Sequence, residues 1–188
     1  MKPGMLPALQ HALSASGAKT IIVTGHSLGA AMAELAAIDL KLNVYPSLKY
    51  ASYTQGTPRV GNPAFAALFD SQIDVSFREI HQADCVPHLP PKLLGFGHAP
   101  MEIWFDEAFD SYHYCAGSPL GEDSSCSDSL LLPVSVSDHV TYRGVSVGGY
   151  CSASAKAAIQ VPHARPANAT VVVSGKAHPK RQRIILKN

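Results

Sequence analysis

The chain opens with Leu6, Leu9 and Leu13 at helical spacing, which predicts an amphipathic helix over residues 5–16, stopped by Gly17. Thr20 to Thr24 (TIIVT) is a short β-branched apolar run and predicts a buried strand. Gly25 to Gly29 reads as a turn, and the Ala-, Leu- and Met-rich segment Ala30 to Leu42 as a helix. A strand is predicted at Lys49–Thr54. A helix follows from Asn62 and Pro63, as cap and first helical position, to about Ser71. Alternating polar and apolar positions predict strands at Val75–His81 and Met101–Phe105. Strands separated by helices of about ten residues imply a parallel sheet flanked by helices. The periodicity then weakens: residues 107–138 read as one long loop, with a further strand at 170–174.

Composition narrows the class. Of 188 residues, 46% are hydrophobic and 15% charged, too apolar for a disordered chain. The longest apolar candidate, Leu28 to Ile38, is interrupted by Glu34 and is too short to span a membrane. The formal net charge of +1 hides an asymmetry: residues 1–174 carry −4 and residues 175–188 carry +5. The body therefore offers no strong field for nucleic acid. Only Lys176 to Lys187 does, and a short basic tail is ordinarily a solvated one. Residues 1–13 contain Pro3, Pro7, Gln10 and His11 where a signal peptide needs an unbroken apolar core. Four cysteines (Cys85, Cys115, Cys126 and Cys151) allow three pairings and show no zinc spacing. A bridge across the Cys115–Cys126 loop would contribute about 2–3 kcal/mol and would suit an oxidising compartment.

The chemistry is concentrated at Gly25-His26-Ser27-Leu28-Gly29, a G-x-S-x-G pattern with a strand before it and a helix after it. Such a turn forces its serine into a strained backbone and lifts the hydroxyl above the sheet edge. Side chains at Gly25 or Gly29 are expected to collide, and the Leu28 amide to face a developing oxyanion. A nucleophilic serine needs a base and an orienting acid later in the chain. His88, His98, His113 and His139 are the histidines to compare, and position favours His139, in a late loop. Asp84, just past the strand ending at His81, competes with Asp106, past the next strand. Asp138 adjoins His139 too closely to face it.

Four ordered stretches resemble the fungal-type class 3 lipases, the α/β-hydrolases that include triacylglycerol lipases and feruloyl esterases. They are Val23–Ala30, Thr54–Asn62 (TQGTPRVGN), Ala83–Pro91 with Gly95–Phe105, and Asp138–Tyr142 (DHVTY). The resemblance covers residues 5–151 and implies an α/β-hydrolase fold, a mostly parallel sheet with helices on both faces. It implies a triad of Ser27, His139 and Asp84, with the Leu28 backbone N–H as one oxyanion donor. It implies no metal or organic cofactor, a lipid or other ester substrate, transient contact with a lipid interface and no nucleic acid. It also suggests a Cys115–Cys126 disulfide.

Family members carry strands, a second oxyanion residue and a lid ahead of the helix in which this sequence begins, so those parts are expected to be missing. They are secreted, although no signal peptide is read here. The N-terminal partner of Cys151 is then missing too, and one edge of the strand at 20–24, otherwise central, is left without a neighbour. Residues 1–151 read as a partial lipase-like domain. Residues 152–188 read as a divergent Ala/Pro-rich segment with a basic tail and a sequon at Asn168-Ala169-Thr170. Three functions stay open: a lipase acting on acylglycerols, a feruloyl or short-chain esterase, and an inactive fragment or interaction module. The apolar run Pro87 to Phe96 either lines the site or packs at a loop base.

Overall fold

The computed structural model describes residues 4–117 and 121–147, and the backbone of residues 170–174. Helix α1 (Met5–Ser16) ends where Gly17 takes a left-handed φ of 65° and its amide donates to the Leu13 carbonyl. Leu6, Leu9 and Leu13 pack against a core of Ile21, Ala37, Ile38, Leu40, Tyr50, Phe69 and Ile73. This core joins α1, the first strand β1 (Thr20–His26), helix α2 (Leu28–Asp39), strand β2 (Lys49–Gln55) and helix α3 (Pro63–Gln72). The expected Asn62 cap is present: its side chain accepts from the Phe65 amide, with Pro63 opening the helix. Helix α2 differs from expectation at its end, passing into a π turn at Leu40–Val44 that brings the Tyr45 amide to the Leu40 carbonyl.

Strands β1, β2, β3 (Val75–His81) and β4 (Met101–Phe105) are parallel neighbours in that order. Among the described residues β1 has a partner on one side only. Beyond β4 the expected long loop is corrected. Residues Ser111–Ala116 form strand β5, antiparallel to β4, with Trp104 opposite His113 and Phe105 opposite Tyr112. The sequence SYHYCA has the β-propensity of its tyrosines but no clean alternation, so only pairing with β4 reveals it. The last strand continues the sheet: the backbone of Thr170–Ser174 pairs in parallel with β5. The short strands Thr141–Tyr142 (β6) and Val145–Ser146 (β7) form a separate hairpin; the sheet strand at 170–174 is therefore β8.

Between α2 and the sheet lies a polar layer. Glu34 on α2, Ser52 and Thr54 on β2, and Arg78 on β3 are all buried. Arg78 donates to the Ala99 carbonyl at 2.9 Å and pairs with Glu102 at 3.3 Å, yet its Nη1 and Glu34 Oε1 have no hydrogen-bond partner. Desolvation pushes the Glu34 carboxyl up to about 7, against the pull of Arg78 and Thr54. No helix among the described residues is long and apolar enough to cross a membrane.

Candidate active site

Parallel strands feed their carboxyl ends to one edge of the sheet, and three segments at that edge build the site. The first is the turn from β1 into α2. Ser27 has φ 57° and ψ −129°, a strained region for a residue with a side chain. Gly25 is required there, because a Cβ on it would lie 2.5 Å from the Gly29 carbonyl oxygen. The expectation for Gly29 is corrected: a Cβ on it meets nothing within 4 Å, since it faces open space beside the helix. Leu28 opens α2, where the first amides have no intrahelical acceptor.

The second segment is the turn after β3. Gln82 takes a left-handed φ of 36°, held by its amide on the Phe105 carbonyl (2.9 Å) and by the Trp104 indole N–H on its own carbonyl (2.8 Å). This turn delivers Asp84 fully buried. Its Oδ1 accepts from the Val86 amide at 2.8 Å and its Oδ2 from the Tyr142 hydroxyl at 2.6 Å. Burial and the Asp84 carboxylate push the Tyr142 phenol far above its ordinary range, so it remains a donor.

The third segment carries His139. The expected loop is a single helical turn, α4 (Val136–His139), capped by Ser135, whose hydroxyl accepts from the Asp138 amide. The Ser135 amide donates to the Ala83 carbonyl, and Asp138 Oδ2 accepts from the Ala83 amide. These bonds dock α4 onto the Asp84 turn and give Asp138 a structural task. His139 Nδ1 then lies 3.0 Å from both Asp84 oxygens, and its Nε2 lies 2.8 Å from Ser27 Oγ. The structure thus brings Ser27, His139 and Asp84 into one hydrogen-bonded line.

The rival residues lie elsewhere. His98 is buried with Nε2 2.8 Å from the Pro87 carbonyl oxygen, and burial, then Arg78, holds it well below the usual imidazole range. His88 lies in the same loop as Pro87, its Nδ1 4.0 Å from Asp128. His113, in β5, packs on Trp104 of β4, and Asp106 closes the β4–β5 turn by accepting from Asp110 and Ser111. The segment Pro87 to Phe96 packs at a loop base, one of the two things the sequence allowed. Its base is anchored by Arg59, which donates to the His88 and Pro90 carbonyls and forms a fork on Glu122. Burial alone would raise the Glu122 carboxyl, but the Arg59 hydrogen bonds and nearby positive charge bring it down to about 2. Leu89, Leu93 and Leu94 stay exposed.

Two contributors carry no assigned role in the sequence reading although they lie within its resemblance stretches. Tyr142 closes DHVTY, and Gly56 lies in TQGTPRVGN. Gly56 has φ 55°, and a Cβ on it would sit 2.8 Å from Asp84 Oδ2 and 3.0 Å from His139 Nδ1. Only a glycine lets that hydrogen bond pass. The motif gave its location, while the close approach needed the folded chain.

Cys115 and Cys126 are joined in a disulfide, the pairing the resemblance suggested. Among the described residues, the cluster of metal-ligand types is Glu102 with those two cysteines, and the disulfide leaves it a single carboxylate. Cys85 makes no disulfide among the described residues, and Cys151 and the basic tail lie outside them.

The family model for class 3 lipases matches residues 1–94. A lipase of Rhizomucor miehei is 42% identical over 131 residues, 68% of this chain and 36% of that one. A secreted mono- and diacylglycerol lipase of Fusarium solani is 37% identical over 121 residues, 64% of this chain and 32% of that one. A solved structure of the Rhizomucor miehei triacylglyceride lipase superposes with a TM-score of 0.67 at 35% identity, covering 78% of this chain and 56% of that one. The chain spans about a third of the length of the curated relatives it matches. Its fold is that of these α/β-hydrolases, as the sequence implied.

Proposed function

The chain belongs to the class 3 lipase family, and on that premise we propose that it hydrolyses carboxylic esters of acylglycerols through Ser27, His139 and Asp84. The hydrogen-bonded line from Ser27 Oγ through both nitrogens of His139 to Asp84 carries this reading. Ser27 Oγ attacks the ester carbonyl carbon as His139 Nε2 takes its proton. Asp84 holds the imidazolium through Nδ1–H. The negative charge developing on the carbonyl oxygen is met by the Leu28 amide and the positive end of α2. His139 passes the proton to the leaving alkoxide, which departs as the alcohol. Water, deprotonated by the same nitrogen, then attacks the acyl-Ser27 ester, and the fatty acid leaves as Ser27 regains its proton.

An acylglycerol rather than a feruloyl ester is favoured by the surroundings. Leu28, Leu89, Val134 and Val136 each lie within five residues of a triad member along the chain, and all are exposed, Leu28 at 70%. Exposed apolar side chains of this kind suit an acyl chain and transient contact with a lipid surface. The Cys115–Cys126 disulfide supports a secreted setting like that named for the Fusarium solani relative.

Labelling the purified native chain with a fluorophosphonate, beside a heat-denatured control, tests the catalytic reading. Peptide mass analysis is expected to place the label on Ser27 in the native sample alone, and Ser27→Ala to abolish it. Absence of label on soluble native protein would overturn the reading. Faster release of fatty acid from a triacylglycerol emulsion than of ferulate from a feruloyl ester would support the substrate; the reverse would replace it.

A further inference from the structure

His26 stands between Gly25 and Ser27 in the turn and has no part in the triad, yet it touches the base twice. Its Nε2 lies 2.7 Å from the main-chain carbonyl oxygen of His139, to which it donates. Its ring lies beside the His139 ring, with centroids 4.6 Å apart and planes tilted by 31°, and meets the Tyr142 ring edge-on at 5.5 Å. The contact bridges 113 residues of sequence. Asp84 holds the base at Nδ1, and His26 holds the same residue at its backbone and its ring face.

We infer that His26 is a positioning residue for the catalytic base and a proton-sensitive brake on it. This rests on the proposed function. The Nε2–H donated to the His139 carbonyl fixes the last turn of α4, so that the imidazole stays within reach of Ser27. The second task follows from charge. During acylation His139 becomes an imidazolium. A neutral His26 tolerates that charge; a protonated His26 places a like charge on the adjoining ring and opposes it. Attack by Ser27 is then slowed whenever His26 carries its second proton.

Among the described residues, the charged and titratable groups around His26 are few. His139 approaches from α4, Asp84 from the turn after β3 and Tyr142 from β6. On β2 its neighbour in the sheet is the neutral Gln55, which donates to Glu79, itself paired with Arg143. Burial and the charge of His139 draw the His26 imidazole below its ordinary range, while its bond to the His139 carbonyl and the Asp84 charge oppose that shift. Burial prevails, so His26 is neutral at neutral pH and the brake engages only on the acid side.

The test compares His26→Gln, His26→Phe and the unaltered chain on a soluble short-chain nitrophenyl ester across pH 4.5–9. Gln can donate to the same carbonyl but does not titrate. Phe keeps a ring and loses the donor. The unaltered chain is expected to show an acid limb of kcat/KM steepening towards two protons, because two neighbouring imidazoles must both be neutral. H26F is expected to lower kcat about tenfold at unchanged KM, the loss of one hydrogen bond to the base's own backbone. H26Q is expected to recover most of that loss above pH 8 and to show a one-proton limb. Equal kcat in H26F, or an H26Q limb that matches the unaltered chain in slope and midpoint, would overturn the inference. An unaltered chain with neither turnover nor phosphonate label on Ser27 would overturn the functional reading and the inference with it, so the two failures are distinguishable.

Discussion

Two buried carboxylates of this chain have had opposite treatment from the fold. Asp84, at the sheet edge, receives a backbone amide, a tyrosine hydroxyl and an imidazole N–H. Glu34, under α2, has one oxygen without a hydrogen-bond partner and Arg78 only as a nearby charge. Both are removed from water, so burial does not separate them; the number of donors does. Where donors converge on a carboxylate and an imidazole bridges it to a serine, chemistry is organised. Where they do not, the carboxyl rises to about 7 and the layer is a stability element that responds to pH.

The comparison can be broken hardest at Gly56. Gly56→Ala adds a methyl at the Asp84–His139 hydrogen bond and strains a left-handed backbone position. A displacement of the base by about 1 Å is worth about 10²-fold. We expect kcat/KM to fall by at least that factor, while thermal unfolding shows the chain still folded. Retention of full activity would show that the base does not need the observed line. Tyr142→Phe removes one donor from Asp84 and leaves the imidazole in place. A hydrogen bond to a charged group contributes about 1.5–3 kcal/mol, so activity should fall by at least about tenfold, chiefly in kcat. An unchanged kcat would show that two donors suffice.

The smallest effect on activity, and the sharpest contrast, is expected at Glu34→Gln. Activity should stay within about twofold of the unaltered chain, judged by esterase assay, because Glu34 touches no reacting atom. Stability should change its pH dependence. The folded-state value of about 7 lies above the ordinary carboxyl value of 4.5, so the folded chain holds the proton more tightly. Its contribution is full below about 4.5 and is lost as pH rises through about 7, on the order of 3 kcal/mol. Thermal unfolding of the unaltered chain should therefore weaken across that window, and E34Q should flatten the curve. A loss of activity in E34Q like that of Y142F would show that the buried layer is coupled to the Ser27 turn, and the distinction between the two carboxylates would fail.

Local elements were written plainly in the chain. The Leu6, Leu9 and Leu13 spacing, the TIIVT strand, the Asn62-Pro63 start and the G-x-S-x-G turn each depend on residues within a few positions of one another. Propensity, capping and burial periodicity act over that range. Strand β5 escaped because its tyrosines and histidine mix polar and apolar character, and its partner β4 gives them their order. Gly29 departs from the expectation for a related reason. A glycine's need depends on what stands opposite it, and opposite Gly29 there is nothing.

The sequence by itself determined which residues could do chemistry and at which edge of a parallel sheet Ser27 would stand. Tertiary structure alone decided which of them meet. Ser27 and His139 are 112 residues apart, Asp84 and His139 are 55 apart, and Asp84 and Tyr142 are 58 apart. Such contacts follow from strand order, register and the docking of α4 on the Asp84 turn. No local pattern stores that information, because hydrogen bonds across the fold depend on where separate segments end in space. The same holds for the ring of His26 against His139 and for the gap at Gly56 through which the base reaches its acid.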